Sequence, residues 1–386
     1  MAFMPFRGRF FSASTWDSRL ISHISSRGAS PLIVRTPAEM QSLRRAFDIS
    51  LGRPARVGFV PTMGALHSGH LGLIDAARAG GGPSPSRADF VVASVYVNPT
   101  QFAPHEDLSK YPRTWDADVA ALAARGVDVI FAPTPSAMYP AHPPYRTFVA
   151  PRGVDGGTPE GSARPGFFRG VATVVLKLLN VVAPTEAWFG QKDGIQCIVV
   201  RALARDLNVP VAIRVAPTAR AEDGLALSSR NAYLTPPQRA AAGRVWAALR
   251  GAVAAFEASP AAAGARAAAR ARAGAPPDSA AAAAAAEALA QAAAFSEAAP
   301  TLPPPLSPLF REIADGVRGH VLGSPEFTGV EYCVFSDALT GEPIGAPEES
   351  RARNGAVMLS VVARMGTLRL LDNVMLVGSP DDLGEA

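Results

Sequence analysis

Residues Arg56–His70 read RVGFVPTMGALHSGH, and their order of apolar and turn-forming residues indicates the class of fold. Its apolar run, Val57–Val60, stops at proline and glycine, a pattern that predicts a short buried strand. The residues that follow, LGLIDAARA, place apolar side chains at helical spacing on one face. The stretch therefore predicts a buried strand, a glycine-containing turn and an amphipathic helix in immediate succession.

The same alternation continues along the chain. Further strands are predicted at FVVASVYV, VDVIFAP, AWFG and VAIRVAP. Helices are predicted at FFRGVATVVLKLLNVVAP, DGIQCIVVRALARDLN and Trp115–Arg125. Alternating strands and helices predict an α/β fold with a doubly wound parallel sheet and helices on both faces. A ligand of such a sheet binds at the carboxyl ends of the strands.

A second, smaller α+β domain is predicted from VEYCVFSD, AVMLSVVARMG and LRLLDNVMLV, which read as strands near the C-terminus. We assign residues 31–218 to the first domain and 219–386 to the second. An alanine-rich segment at 251–305, with the unbroken run Ala280–Ala286, interrupts the second domain. Alanine favours helix but buries little, so we predict an insertion, part helical and part disordered, without chemistry.

The composition of the chain narrows its class. Hydrophobic residues are 48% of the 386 and charged residues 18%, which excludes disorder over the whole length. The net charge of +4 permits anionic substrates, but without a basic stripe it does not indicate a nucleic-acid partner. Cys197 and Cys333, the two cysteines, exclude a disulfide framework and a cysteine-built zinc site. No apolar run is long enough for a membrane helix, so no membrane partner is predicted.

Residues 1–30 differ from the rest of the chain. They are rich in arginine and serine, and Asp17 is their one acidic residue. This composition is typical of an organelle transit peptide, and a disordered, unprocessed leader is the alternative. Because the low cysteine content fits a reducing compartment, we predict a cytoplasmic location, with organellar targeting by residues 1–30 as the alternative.

Chemistry is indicated first by PTMGALHSGH, at Pro61–His70. His67 and His70 are three residues apart, so they lie on one face at the N-terminus of the predicted helix. Backbone N–H groups there lack intrahelical partners and the helix dipole is positive, while Gly69 lets a ligand approach the backbone. These features predict a phosphate cradle with two imidazole donors. Metal ligands or surface residues are the alternatives for two histidines at this spacing.

An HxGH pattern after the first strand resembles the signature of the nucleotidyl-transferase superfamily, which includes the class I aminoacyl-tRNA synthetases. The resemblance implies attack on the α-phosphate of a nucleotide, release of pyrophosphate, and a second, serine-rich or basic loop that holds the phosphates. LSSRN, at residues 227–231, has that chemistry, because its serines offer hydroxyl donors and Arg230 offers a bidentate guanidinium. Taken alone, SSRN also fits a helix N-cap followed by an exposed arginine.

Further motifs occur in one order: PTMGALHSGH, VNPTQF, YPRT, FRGVATVV, FGQKD and EDGLALSSRNAYL. Through them the chain resembles the pantothenate synthetase (pantoate–β-alanine ligase) family from about Leu32 to Leu249 and again from about Glu331 to the C-terminus. The resemblance implies a ligase that condenses (R)-pantoate with β-alanine using Mg-ATP, through a pantoyl adenylate, and releases pyrophosphate and AMP. It also implies a Rossmann-like nucleotide-binding domain, a C-terminal lid domain and a homodimer.

The family's roles transfer to the residues that match its motifs. His70 matches the residue usually named as catalytic. His67, Lys192 and Arg230 are predicted to join it by stabilising charge on the phosphates. The residues predicted to line the ATP site are Met63, Gly64, Ala65, Leu66, His67, Ser68, Gly69, His70, Gly190, Gln191, Lys192, Asp193, Ala219, Leu227, Ser228, Ser229 and Arg230.

Substrate binding is predicted at two glutamines. Gln101 and Gln196 match the family's pantoate-binding glutamines, and Gln101 borders the β-alanine site. Two residues depart from the family's pattern, since Gly194 and Ile195 stand where an aromatic residue and a glutamine are usual. We therefore expect altered packing beside the pantoate pocket, with Gln196 retained.

No protein metal site is predicted. Mg²⁺ should arrive with ATP and keep several waters, so it needs few protein ligands. Asp118 is a weak candidate ligand, and a solvated helix carboxylate is the simpler interpretation. Lys192 and Asp193 likewise have an exposed ion pair as their alternative.

Two other functions stay open at this point. One is another HxGH nucleotidyl transferase that acts on a phosphate ester, against which VNPTQF, and FGQKD followed by Gln196, argue. The other is a nucleotide-binding or RNA-associated scaffold without activity, against which the intact phosphate-site residues argue.

Overall fold

The computed structural model describes residues 30–81, 87–103, 106–264, 304–350, 355–380 and 383. Except for Ser30, the predicted leader lies outside the described residues, and so do residues 265–303 of the alanine-rich segment. No helix within the described ranges is long and apolar enough to cross a bilayer. The described residues form two compact units.

Unit 1 comprises the described residues up to Ala150, together with Arg169–Phe189 and Leu203–Arg214. It carries most of a six-stranded sheet, whose strands are β1 (Leu32–Val34), β2 (Val57–Thr62), β3 (Phe90–Val95), β4 (Val129–Phe131), β5 (Glu186–Gly190) and β6 (Ala212–Ala216). Their order across the sheet is β1-β4-β3-β2-β5-β6. Strand β2 pairs in parallel with β3 and β5, and β4 pairs in parallel with β1 and β3. The predicted parallel sheet of an α/β fold is confirmed.

The helices of the described residues follow the strands along the chain. They are α1 (Pro37–Leu51), α2 (Ser68–Ala79), α3 (Trp115–Ala124), α4 (Pro135–Met138), α5 (Pro159–Ala163), α6 (Phe167–Val182), α7 (Gly194–Asp206), α8 (Pro236–Ala241), α9 (Arg244–Glu257) and α10 (Pro308–Leu322). Helix α1 shows how local sequence sets the bounds. Thr36 and Glu39 form a capping box at its start, and Gly52, with φ of 63°, ends it in the left-handed conformation.

The strand that precedes the HxGH motif lies in the middle of the sheet. Strands β2 and β3 are apolar and buried on both faces, as central parallel strands require. Val60, Ile74 and Ile130 share a core on one face of the sheet. An ideal Cβ at Gly58 would lie 2.6 Å from the carbonyl oxygen of Ala77, so only glycine lets α2 pack this closely on β2. This packing fixes where α2 begins relative to the end of β2.

Unit 2 comprises Pro151–Phe168, Gly190–Ala202 and the described residues from Val215 onward. Its antiparallel sheet consists of β7 (Gly329–Asp337), β8 (Val357–Met365) and β9 (Leu368–Val377), in the order β7-β8-β9. Residues of α9, α10 and the sheet together form the core of this unit. The stacked rings of Phe310 and Phe335 belong to it. The three predicted C-terminal strands and the smaller α+β fold are confirmed.

Helix α9 extends into the start of the predicted insertion. It continues through Gly251 to Glu257, and Ala252 and Phe256 are buried in the core of unit 2. The expectation that residues from 251 onward bury little is therefore wrong for the last turns of α9. The phenylalanine among the alanines is the signal of that buried face.

Candidate active site

The turn between β2 and α2 has an unusual backbone. Gly64 and Ala65 are both left-handed, with φ of 81° and 51°. The hydroxyl oxygen of Thr62 accepts a hydrogen bond from the Gly64 N–H at 3.2 Å. An ideal Cβ at Gly64 would lie 3.0 Å from the Asp118 carboxylate and 3.2 Å from the Val95 side chain. The left-handed conformation therefore favours glycine at position 64, and a Cβ there would press on Asp118 and Val95.

Asp118, in α3, fixes this turn. Its two carboxylate oxygens accept hydrogen bonds from the backbone N–H groups of Ala65, at 2.9 Å, and Leu66, at 2.8 Å. The Thr114 hydroxyl donates a third, at 3.1 Å. Asp118 is 3% exposed, so its interpretation as a solvated helix carboxylate is wrong. No sequence signal pointed to this partner, because the turn and α3 are far apart in the chain.

The two histidines lie at the start of α2. His67 is the N-cap residue, and its backbone N–H donates to Nδ1 of His70 at 3.4 Å. The two rings have centroids 4.0 Å apart. Because Nδ1 of His70 accepts a hydrogen bond, a neutral His70 ring carries its proton on Nε2. The first turn of α2 therefore presents an imidazole N–H donor beside the N-terminal backbone N–H groups.

Gln101 lies beside the HxGH turn in unit 1. It ends a short 3₁₀ helix, Pro99–Gln101, that follows β3. Its side-chain amide donates to the sulfur of Met63 at 3.2 Å. Asn98, which is 1% exposed, donates to the Gln101 side-chain oxygen at 3.1 Å and to the carbonyl of Gly170 at 3.2 Å. Unit 1 thus brings together Gln101 and the predicted ATP-site turn, and Asn98 is a positioning residue that the sequence reasoning missed.

An aromatic group adjoins Thr100, the neighbour of Gln101 in the chain. The Thr100 and Tyr139 hydroxyl oxygens are 3.3 Å apart, and the Lys177 ammonium lies 4.4 Å from the ring centroid of Tyr145. Burial lowers the pKa of Lys177 and raises that of Tyr139. The Lys177 side chain thus lies against the face of the Tyr145 ring.

The last three residues of FGQKD form a turn in unit 2 that Asn373 holds. Residues Gln191–Asp193 form a 3₁₀ turn before α7. The Asn373 side-chain amide in β9 donates to the carbonyl oxygens of Gln191 and Lys192, each at 2.9 Å. Gln191 donates from its own side chain to the Asn373 oxygen at 3.2 Å. Asn373 is buried and was missed from the sequence, because its contact partners lie 181 and 182 residues away.

Lys192 and Asp193 form the ion pair that was the alternative interpretation of FGQKD. Their side chains are 3.4 Å apart, and Asp193 is about half exposed. An ion pair at a solvated position contributes little to stability, so it leaves Lys192 able to exchange its partner. Gln196 lies one turn further along α7, half-buried, and its side chain makes no hydrogen bond within the described part of the chain.

The two residues that depart from the family's pattern, Gly194 and Ile195, lie at the start of α7 in unit 2. An ideal Cβ at Gly194 would lie 2.4 Å from Sδ of Met358, so methionine fills the space beside the helix start. Ile195 packs against Gly341, where an added Cβ would lie 3.2 Å from the isoleucine Cδ1. The start of α7 thus packs against Met358 of β8 and against Gly341.

The SSRN loop and Ala219 lie together in unit 2. Arg220 and Ala226 pair in an antiparallel bridge, and the Leu227 N–H donates to the Ala219 carbonyl at 2.9 Å. Ser228 caps the 3₁₀ turn Ser229–Tyr233 by accepting from the Arg230 N–H at 3.3 Å. Ser228 is therefore an N-cap, as the alternative interpretation of SSRN had it, whereas Arg230 is half-buried and not exposed.

A family model for pantoate-beta-alanine ligase matches residues 32–375, which include every predicted site residue. The chain belongs to the pantoate–β-alanine ligase family. The match extends over both units and ends within β9.

Relatives in this family include the pantothenate synthetase of Chloroflexus aggregans, which is 52% identical over 226 residues, or 58% of this chain and 76% of that protein. A bifunctional pantoate ligase/cytidylate kinase of Synechococcus elongatus is 40% identical over 335 residues, or 86% of this chain and 51% of that protein. The second alignment spans most of this chain.

Solved structures of pantoate–β-alanine ligases share the fold. Pantothenate synthetase from Thermus thermophilus is 34% identical, with a TM-score of 0.66 over 90% of this chain and 99% of that chain. The ligase from Francisella tularensis, solved in complex with beta-gamma ATP and beta-alanine, is 26% identical, with a TM-score of 0.59 over 91% of this chain and 99% of that chain.

Proposed function

We propose that the chain condenses (R)-pantoate with β-alanine in an ATP-dependent reaction, through a pantoyl-adenylate intermediate. The observation that carries this proposal is the left-handed turn after β2, which leads into α2 with His67 as N-cap and His70 in the first turn. A helix N-terminus with an imidazole N–H donor suits the α-phosphate of a nucleotide. Membership of the pantoate–β-alanine ligase family supports the choice of substrates.

The first step activates the pantoate carboxylate. One carboxylate oxygen attacks the α-phosphorus of ATP, and the bond from that phosphorus to the bridging oxygen breaks, so pyrophosphate leaves. Negative charge grows on the phosphate oxygens in the transition state. His70, with its proton on Nε2, and His67 are proposed to stabilise that charge, and each such donor typically contributes about 10²–10³-fold in rate.

In unit 2, Lys192 and the SSRN loop are proposed to hold the phosphates that leave. Lys192 offers a point charge, whereas Arg230 offers a planar pair of donors that matches phosphate oxygens. The half-buried position of Arg230 and the 3₁₀ turn that fixes its backbone support this role. Ser228 and Ser229 add hydroxyl donors.

The second step forms the amide. The neutral amine of β-alanine attacks the acyl carbon of pantoyl adenylate, the bond from that carbon to the phosphate oxygen breaks, AMP leaves with the bonding electrons, and the nitrogen gives up one proton to water. Gln101 and Gln196 are proposed to bind pantoate, since a carboxamide both donates to a carboxylate and accepts from hydroxyls. The Asn98 contact supports this role for Gln101, because it orients the amide oxygen.

Mg²⁺ is proposed to arrive bound to ATP and to neutralise charge on its phosphates. Among the described residues, no group of three or more His, Cys, Asp or Glu side chains could hold a metal ion. Mg²⁺ keeps several waters and takes phosphate oxygens as ligands in such sites, so this proposal requires few protein ligands.

We further propose that two copies of the chain form a homodimer in the cytoplasm. Light scattering of the purified protein during size-exclusion chromatography should give twice the mass of 40.1 kDa. A fluorescent protein fused to residues 1–30 should stay diffuse in the cytoplasm. Its accumulation in an organelle would replace this location with the targeting alternative.

Pyrophosphate release from Mg-ATP by the purified protein tests the proposed function. Pantoate alone should support release of one pyrophosphate per active site, and β-alanine should then allow AMP formation and repeated turnover. Release that depends on a phosphate ester would favour another HxGH nucleotidyl transferase. A folded protein that releases no pyrophosphate with any acceptor, yet binds RNA in a salt-sensitive way, would favour the scaffold.

A further inference from the structure

Asp118 is a buried carboxylate that has no role in the reaction proposed above. It is 3% exposed, and its carboxylate contacts the backbone of the turn between β2 and α2 at two consecutive N–H groups. None of the ion pairs in the described part of the chain includes Asp118. A buried carboxylate without a cationic partner loses hydration energy, and only hydrogen-bond donors of the turn and of Thr114 offset that loss.

The turn cannot hold its conformation by local preference alone. Ala65 has φ of 51°, and a residue with a Cβ in the left-handed region costs roughly 1–2 kcal/mol. Gly64 precedes it with φ of 81°, so two consecutive residues are left-handed. The hydrogen bonds from the Ala65 and Leu66 N–H groups to a carboxylate are charge-assisted and oppose this cost.

The geometry assigns Asp118 as a positioning residue for the proposed adenylation. It holds the turn Met63–Leu66 in the form that starts α2 at Ser68 and directs the His67 N–H to Nδ1 of His70. A turn that relaxed would shift the imidazole donors relative to the α-phosphate. A misplacement of about 1 Å near reacting atoms costs roughly 10²-fold in rate. This inference rests on the proposed function.

The test compares Asp118→Asn with Asp116→Asn, a control on the same helix whose side chain is exposed. Asn keeps the size of Asp118, but its amide N–H₂ faces one of the two backbone donors. We expect kcat for pantoate-dependent pyrophosphate release to fall roughly 10²-fold in Asp118→Asn, with KM for pantoate near that of wild type. Asp116→Asn should behave as wild type in both values.

Ala65→Gly supplies a rescue that a merely structural role of Asp118 would not produce. Glycine removes the left-handed cost at position 65, so it should restore kcat about fivefold or more in the Asp118→Asn background. Near-normal kcat in Asp118→Asn, or a loss that Ala65→Gly leaves unchanged, would overturn the positioning role.

Amide hydrogen exchange of the peptide that contains residues 63–70 separates this inference from the proposed function. The Ala65 and Leu66 amides should be protected in wild type, exposed in Asp118→Asn, and unaffected by Asp116→Asn. If wild type released no pyrophosphate, the proposed function would fail, and the exchange result would still decide whether Asp118 holds the turn. Unchanged protection in Asp118→Asn would overturn the inference even in an active enzyme.

Discussion

Gly194 and Met358 occupy one space in unit 2: an ideal Cβ at Gly194 would lie 2.4 Å from Sδ of a fully buried Met358. We expect Gly194→Ala to destabilise the protein, because overpacking costs about 1–3 kcal/mol and exceeds the roughly 0.5–1 kcal/mol that alanine contributes to a helix. Denaturant unfolding measures the change. Gly251→Ala is the control, since nothing lies within 4 Å of an added Cβ in that helix, and it should stabilise.

A double mutant tests the contact itself. Met358→Ala alone should cost about 2–5 kcal/mol, as for other buried methionines. In Gly194→Ala/Met358→Ala the new methyl group enters the space that methionine left, so the combined loss should be smaller than the sum of the two. Strictly additive losses would show that the two residues do not compete for this space.

His70→Ala should lower the adenylation rate much more than it changes ATP affinity, because the imidazole donor is proposed to act on charge that develops in the transition state. The expected loss is about 10²–10³-fold in kcat. Single-turnover pyrophosphate release measures the rate, and KM for ATP measures binding. His320→Ala, which removes an exposed histidine in α10, should leave both unchanged. A rise in KM at unchanged kcat would give His70 a binding role only.

Asn373→Ala should weaken ATP binding, although Asn373 is not itself proposed to contact ATP. Gln191 is the one proposed ATP-site residue whose side chain Asn373 contacts. The substitution removes the donor that holds the carbonyl oxygens of Gln191 and Lys192, and each buried group left without a partner costs about 1–3 kcal/mol. KM for ATP should rise and the melting temperature should fall. Gln191→Ala breaks one side-chain hydrogen bond and leaves the two carbonyl contacts, so its melting temperature should fall less. A larger fall in Gln191→Ala would contradict the role of Asn373.

Protonation of Glu160 should lower the free energy of unfolding of unit 2 at acid pH. Burial would raise the pKa of its carboxyl, but hydrogen bonds from Arg369 and Tyr332 and the charge of Arg164 outweigh burial and hold the pKa below 4.5. Because the folded-state pKa is the lower one, the stabilisation is complete above the unfolded-state pKa. It is lost as pH falls through the folded-state value.

Glu160→Gln tests this pH dependence. At pH 7 it should destabilise by roughly 3 kcal/mol, the low end for a broken buried pair, because Arg369 keeps Glu331 as a partner. The difference from wild type should shrink as pH falls below 4.5. Glu312→Gln, an exposed change in α10, should follow wild type throughout. A difference that stays constant with pH would exclude the carboxylate as its cause.

The sequence predicted the elements whose signals are local. The strand, turn and helix around His67 and His70 are adjacent in the chain, and so are the residues of LSSRN. Contacts between distant positions were not predictable, because the local sequence around one residue does not indicate which distant residue it contacts. Asp118 reads as an ordinary helix carboxylate until the backbone of Ala65 and Leu66 is placed against it.

The Asn373 contact has a consequence for how the polypeptide is made. Every residue of FGQKD leaves the ribosome long before β9, which supplies the amide that fixes Gln191 and Lys192. A nascent chain therefore contains the whole motif before it contains Asn373, whose hydrogen bonds hold the turn Gln191–Asp193. A stop codon or proteolytic cut ahead of β9 would leave the motif intact in sequence and unsupported in structure.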